Sequence, residues 1–255
     1  MKINNGSLTY EDYQNLYKNK NILSKSFTKN QIQPSSVDLT LSDECYEISA
    51  SFLSSKSNVR EFLKKVRIKK IDLNNKYIFK KNRTFIVKLN ESLNLSKNIF
   101  GICNPKSSTG RLDIFCRTIL NFSNEYEKIP LSYNGEMFIE ITSRSFDIEF
   151  QKNDSLNQMR LFFNKHEYVN DIELEKFHND FFLTKNKKNN RIKPDLNNGL
   201  KISVDLSSDN LINAYVAKID TPKLIFKKIK FHKINDFWDP IKSIDNKIIN
   251  IRALL

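Results

Sequence analysis

The sequence predicts a mainly β protein, an antiparallel sandwich or barrel with a few short helices. Three observations predict it. Short β-branched or aromatic runs recur: VDLTL (37–41), CYEISASF (45–52), YIFK (77–80), TFIVKL (84–89), IFGIC (99–103), MFIEIT (137–142), FDIEF (146–150) and MRLFF (159–163). Polar or Asn-rich turns separate them. No run is followed by a regular crossover helix, which disfavours a doubly wound parallel sheet.

The helices have their own signals. Thr9 and Asp12 fit a capping box, and Tyr13, Leu16 and Tyr17 follow at helical spacing, which predicts a helix over 9–20. A second is expected from Ser57 to Arg67, capped by Ser57, with Val59, Phe62, Leu63 and Val66 as its apolar stripe. A third is expected from Asp171 to Leu183, with Leu174, Phe177 and Phe181 on one face. The polar stretch TKNKKNNRIKPDLNNG (184–199) reads as a linker. Beyond it LKISVDL, LINAYVAK and KLIFKKIKF read as further strands, and SVDLSSD (203–209) echoes SVDLTLSD (36–43), a weak sign of a tandem repeat.

Composition narrows the function classes. With 39% hydrophobic and 28% charged residues, the 255-residue chain can bury a core. No apolar run approaches the roughly 20 residues of a membrane span. Met1 to Ser7 holds no apolar signal segment, and the three cysteines include no close pair, so reduced thiols in a cytoplasmic setting are expected. The net charge of +13 suits a polyanionic partner, either nucleic acid or a small polyphosphate. The lysines are scattered rather than gathered on one helix, which disfavours nucleic acid.

Two segments could carry chemistry. In NPKSSTGRLDIF (104–115), Lys106 and Arg111 supply charge and Ser107 and Ser108 supply hydroxyl donors. Gly110 would permit close backbone approach, and the loop's amides could form an anion-binding nest. The same residues also suit a plain polar turn, and the Walker pattern is absent. In YNGEMFIEITSRSF (133–146), strand alternation puts Met137, Ile139 and Ile141 on one face and Phe138, Glu140 and Thr142 on the other. Glu140 is then a carboxylate among apolar residues, suited to proton transfer, or else an ordinary solvent-facing strand residue. His166, His178 and His232 are isolated and no cysteine pair has ligand spacing, so no catalytic metal is expected.

Taken in order, these segments resemble the dCTP deaminase and dUTPase superfamily. QIQPSSVDLTL (31–41) is similar to its first motif, of the form I-x-P-A-S-x-D-L-x-L. KSSTGR is similar to its R-S-S-x-x-R phosphate loop, and Gly135 followed five residues later by Glu140 is similar to its third motif. QKNDSLNQMRLFF (151–163) is similar to the strand pair that closes the barrel, and the whole combination most resembles tandem dCTP deaminases of alphaproteobacteria.

The resemblance implies a dUTPase-like distorted β-barrel with jelly-roll character and an incomplete second β unit. The organisation expected is a helical segment over 1–30, a barrel over 31–165, a helix and linker over 166–199, and the start of a second half over 200–255. The implied reaction is hydrolytic deamination of dCTP to dUTP, with Mg²⁺ accompanying the triphosphate and no catalytic metal. Homotrimeric or tandem pseudo-trimeric packing is implied, with sites at subunit boundaries. Glu140 matches the general acid–base. Lys106, Ser107, Ser108 and Arg111 match the triphosphate contacts, with Ser107 and Arg111 also near the chemistry, and Phe138 falls where backbone groups read the pyrimidine. Pro130 stands where the family carries an Asp, which disfavours dUTP pyrophosphatase activity and leaves sugar recognition to other groups. A dUTPase-like or bifunctional hydrolase and a truncated nucleotide-binding remnant are the alternatives.

Overall fold

The computed structural model describes residues 5–165, 169–186, 188–202 and 212–242. Its contacts divide the chain into two units, Met1–His166 with Ala217–Trp238, and Glu167–Val216 with Asp239–Leu255.

The first unit is mainly β. One six-stranded sheet runs Lys128–Ile129, Ile99–Pro105, Asn157–Phe163, Ser36–Leu39, Ile32–Gln33, with Gly6–Ser7 beside Asn157–Phe163. The other runs Ile114–Leu120, Asn134–Ser143, Thr84–Asn94, Leu41–Ile48, Arg67–Asp72, with Ile22–Leu23 beside Thr84–Asn94. Every pairing in these two sheets is antiparallel. Period-two alternation sends Val37, Leu39, Cys103, Met159 and Leu161 from the first sheet into one core with Phe85, Val87, Met137, Ile139 and Ile141 from the second. A third, smaller sheet sets Leu224–Ile225 parallel to Ile148–Phe150, which pairs antiparallel with Tyr77–Phe79.

The outer face of the second sheet is covered locally. Helix Val59–Val66 lays Val59 and Leu63 over Tyr46, Ile48, Ile86, Ile119 and Phe138. Its cap is Asn58, whose Oδ1 accepts from the Glu61 amide at 2.9 Å, and not Ser57, whose hydroxyl instead bonds the Glu61 side chain. Arg60 fastens the helix to the sheet. Its guanidinium bridges Glu44 (2.6 and 3.0 Å) and Glu136 (2.7 and 2.9 Å) and lies over the Phe138 ring.

Several elements differ from the sequence reading. The first helix, Tyr10–Lys18, has the expected Thr9–Asp12 capping box. Strands absent from that reading include Arg67–Asp72 and Ile114–Leu120; the second follows closely on the polar KSSTGR segment and carries Arg117 at its centre. KLIFKKIKF forms only the two-residue strand Leu224–Ile225, and its distal apolar residues Ile229 and Phe231 are exposed. The SVDLSSD echo lies outside the described residues. In the second unit, helix Asp171–Phe181 is capped by Asn170, but Phe177 and Phe181 are exposed and the residue it buries is His178, whose Nε2 accepts from Arg191 Nε at 3.0 Å. Ile212–Ala217 pairs with Trp238–Lys242. Among the described residues no helix is long and apolar enough to cross a membrane.

The first motif has a structural explanation. Glu91 is completely buried, and the two ends of QIQPSSVDLT close on it: Gln31 Nε2 and Thr40 Oγ1 donate to Oε1 at 2.8 Å, and the Thr40 amide donates to Oε2 at 2.9 Å. Burial holds this carboxyl above the ordinary range against the pull of those donors. Glu91→Ala strands three buried donors and is expected to lower unfolding free energy by about 3 kcal/mol or more. Glu91→Gln, which keeps an acceptor, should cost markedly less, and urea denaturation of the two variants measures the difference.

Candidate active site

KSSTGR is a single helical turn, Ser107–Gly110, rather than an open nest. Its own carbonyls take the amides of Thr109, Gly110 and Arg111. The Leu156 carbonyl anchors it at both ends, accepting from the Lys106 amide at 2.9 Å and from Thr109 Oγ1 at 2.8 Å. That anchoring leaves Ser107, Ser108 and Arg111 at the surface. Lys106 Nζ is ion-paired with Asp38, the Asp of the SVDL motif, so two segments far apart in sequence meet here. Gly110 is helical, and a Cβ there would meet open space, so the fold itself does not require glycine at this position.

Glu140 lies in Asn134–Ser143, a strand paired on both edges, opposite Arg117 on one side and Ile86 on the other. It is 1% exposed, which removes the solvent-facing reading. Arg117 Nε donates to Glu140 Oε1 at 2.9 Å, while Oε2 is buried without a hydrogen-bond partner among the described residues. Gly135, the second residue of this strand, has φ +159°, and a Cβ there would lie 2.9 Å from Tyr133 Oη. That hydroxyl is committed, donating to the Glu136 carbonyl at 2.6 Å and accepting from the Asn121 amide at 3.2 Å. The Gly–Glu spacing therefore fixes where the strand starts relative to its carboxylate.

The expected site residues fall on two cavities, each of about 540 Å³. Lys106, Ser108 and Arg111 wall one of them with Asp154, Leu224 and Lys227. Glu140 lines the other with Arg117, Gly110, Asp113, Thr142 and Arg144. The turn thus stands between them, its cationic side chains on one cavity and its Gly110 on the other. Phe138 reaches neither cavity: its ring is fully buried under the Val59–Val66 helix and its backbone runs between two paired strands. Arg117, which lines the Glu140 cavity and donates to its carboxylate, is a residue the sequence reading missed. The available signal was an arginine inside the apolar run IFCRTIL.

Pro130 is exposed and its carbonyl accepts from the Tyr133 amide, so the position is a turn. The nearest upstream carboxylate, Glu127, points inward to the Thr118 amide and hydroxyl, both at 3.1 Å, and to Asn157 Nδ2 at 3.2 Å. The three cysteines are buried and unpaired, and burial pushes the Cys116 thiol up to about 12, so none is an activated nucleophile.

Comparison with known proteins follows this geometry. Residues 4–165 match the family model of the 2'-deoxycytidine 5'-triphosphate deaminase N-terminal domain, and residues 170–251 match that of its C-terminal domain. The chain belongs to the dCTP deaminase family. The crystal structure of 2'-deoxycytidine 5'-triphosphate deaminase from Agrobacterium tumefaciens is similar, with a TM-score of 0.87 and 31% identity over 94% of this chain and 71% of that one. No curated protein matches the chain. Membership accounts for the mainly β fold and for the order of the motifs along this dCTP deaminase family chain.

Two carboxyls near the cavities give a pH signature. Burial pushes Glu127 from 4.5 up to about 6, and pushes Asp154 from 3.8 up to about 6. A raised carboxyl binds more protons folded than unfolded between those values, so stability falls as pH rises through that window. The stability of the parent relative to Glu127→Gln is expected to be greatest below pH 4.5 and to drop by about 1–2 kcal/mol by pH 7. Urea titrations of both proteins across that range test it; a difference independent of pH contradicts the assignment.

Proposed function

We propose that this chain hydrolyses dCTP to dUTP and ammonia. The observation that carries the reading is Glu140, a carboxylate buried in a doubly paired strand, lining a cavity, with one oxygen held by an arginine and the other unpartnered among the described residues. Deamination needs a group that takes a proton from water, places it on ring N3, and later supplies one to the departing nitrogen. A single carboxylate does this in turn. Water adds to C4, the C4–N bond breaks and ammonia leaves. Cationic and hydroxyl donors stabilise the charge that builds in the tetrahedral intermediate.

The triphosphate, carried as its Mg²⁺ complex, fits Lys106, Ser107, Ser108 and Arg111. In one chain Lys106, Ser108 and Arg111 face a different cavity from Glu140, which supports a complete site formed between copies in a homo-oligomer. The proline at 130, with Glu127 turned inward, favours deamination over pyrophosphate release.

Two measurements test this reading. Ammonia release from dCTP with Mg²⁺ should fall by about a thousandfold or more in Glu140→Gln, the scale of losing a central acid–base group. Pyrophosphate as the product, or no ammonia from the parent, would overturn the assignment. Mixing inactive Glu140→Gln with inactive Arg111→Gln should restore turnover if copies share the site. Mixtures as inactive as their components would place the whole site within one chain.

A further inference from the structure

We propose that Arg117 is a positioning residue that fixes the Glu140 carboxylate, and that the Tyr126 ring holds Arg117 in place. The inference rests on the reading of Glu140 as the acid–base. It starts from strand register. Arg117 and Glu140 are directly opposed in antiparallel strands, so their side chains leave the sheet on the same face. The guanidinium uses Nε to reach Glu140 Oε1 at 2.9 Å.

The arginine is itself held. Its Cζ lies 3.5 Å from the Tyr126 ring centroid and 5.2 Å from that of Phe115. Tyr126 packs against the cluster of Phe138, Ile119 and Val59, and its hydroxyl donates to the Phe52 carbonyl at 3.1 Å. The chain of contacts therefore runs from the helix-covered outer face, through Tyr126 and Arg117, to one carboxylate oxygen.

The consequence is chemical. With Oε1 engaged by a fixed cation, the carboxylate cannot rotate freely, and the unpartnered Oε2 becomes the oxygen that exchanges protons. A carboxylate that must accept and return a proton at two positions on one substrate gains most from a single fixed orientation. An ion pair serving burial alone needs no aromatic ring stacked on its arginine, which already meets the carboxylate.

The test compares kcat and KM for dCTP in Arg117→Gln, Arg117→Lys, Tyr126→Phe and Tyr126→Leu, with folding checked by thermal melts. Arg117→Gln should lower kcat by about 10- to 100-fold while KM changes less than about threefold, the scale of a misplaced catalytic group. Arg117→Lys, which keeps the charge, should recover part of the loss and carries the comparison if the glutamine variant does not fold. Tyr126→Phe, which keeps the ring, should lower kcat less than Tyr126→Leu. Adding Tyr126→Leu to Arg117→Gln should cost nothing more, because the two act through one contact. Parental kcat in folded Arg117→Gln, a loss confined to KM, or additive losses in the double variant would each overturn the proposal. Failure of the parent to release ammonia would overturn the deaminase reading first, and the role of Arg117 with it.

Discussion

A carboxylate in the middle of a doubly paired strand has its neighbours chosen for it. Glu140 cannot move without moving Asn134–Ser143, and that strand is locked to Ile114–Leu120 on one edge and Thr84–Asn94 on the other. Register then decides that Arg117 faces it and that Phe138, two residues earlier, lies under the helix. The start of the strand is fixed in turn by Gly135, which gives the Tyr133 hydroxyl room to bridge the Glu136 carbonyl and the Asn121 amide. The position of one ionisable group is thus distributed over a turn, three strands and a helix.

The KSSTGR turn is built by a different device. It is not a flexible loop shaped by glycine. One carbonyl, that of Leu156, holds both of its ends, and one ion pair ties Lys106 to Asp38. The same SVDL segment continues to Thr40, which closes on the buried Glu91. Motifs that look like separate signatures in the sequence are therefore mechanically joined. Gln31 and Thr40 organise a buried carboxylate, and Asp38 between them reaches the KSSTGR turn.

Much of this was legible before any coordinates. Alternation of apolar residues located most strands, because each sheet buries one face and the pleat has a period of two. The Thr9–Asp12 capping box marked the first helix through purely local chemistry. What escaped reading was non-local. Nothing local tells that IFCRTIL is an edge strand whose arginine meets Glu140 across the ladder, or that Phe138 is buried by a helix some seventy residues earlier in the chain. The aromatic stripe of the Asp171–Phe181 helix misled for a related reason: periodicity identifies a face but not whether anything covers it.

The distribution of charge around Glu140 bears on how one carboxylate could serve alone. Its cavity also holds Asp113, but Ser145 Oγ donates to that side chain at 2.6 Å, and Glu127 is committed to Thr118 and Asn157. The cavity also holds Arg117 and Arg144. Pro130 sits on an exposed turn and lines neither cavity, so it leaves the charge around Glu140 unchanged. In the proposed reaction, a cation already held against the base at 2.9 Å stabilises developing charge without reorganisation. In the proposed reading proton transfer rests on Glu140, and the arginine directly across the ladder is placed to favour the state that transfer creates.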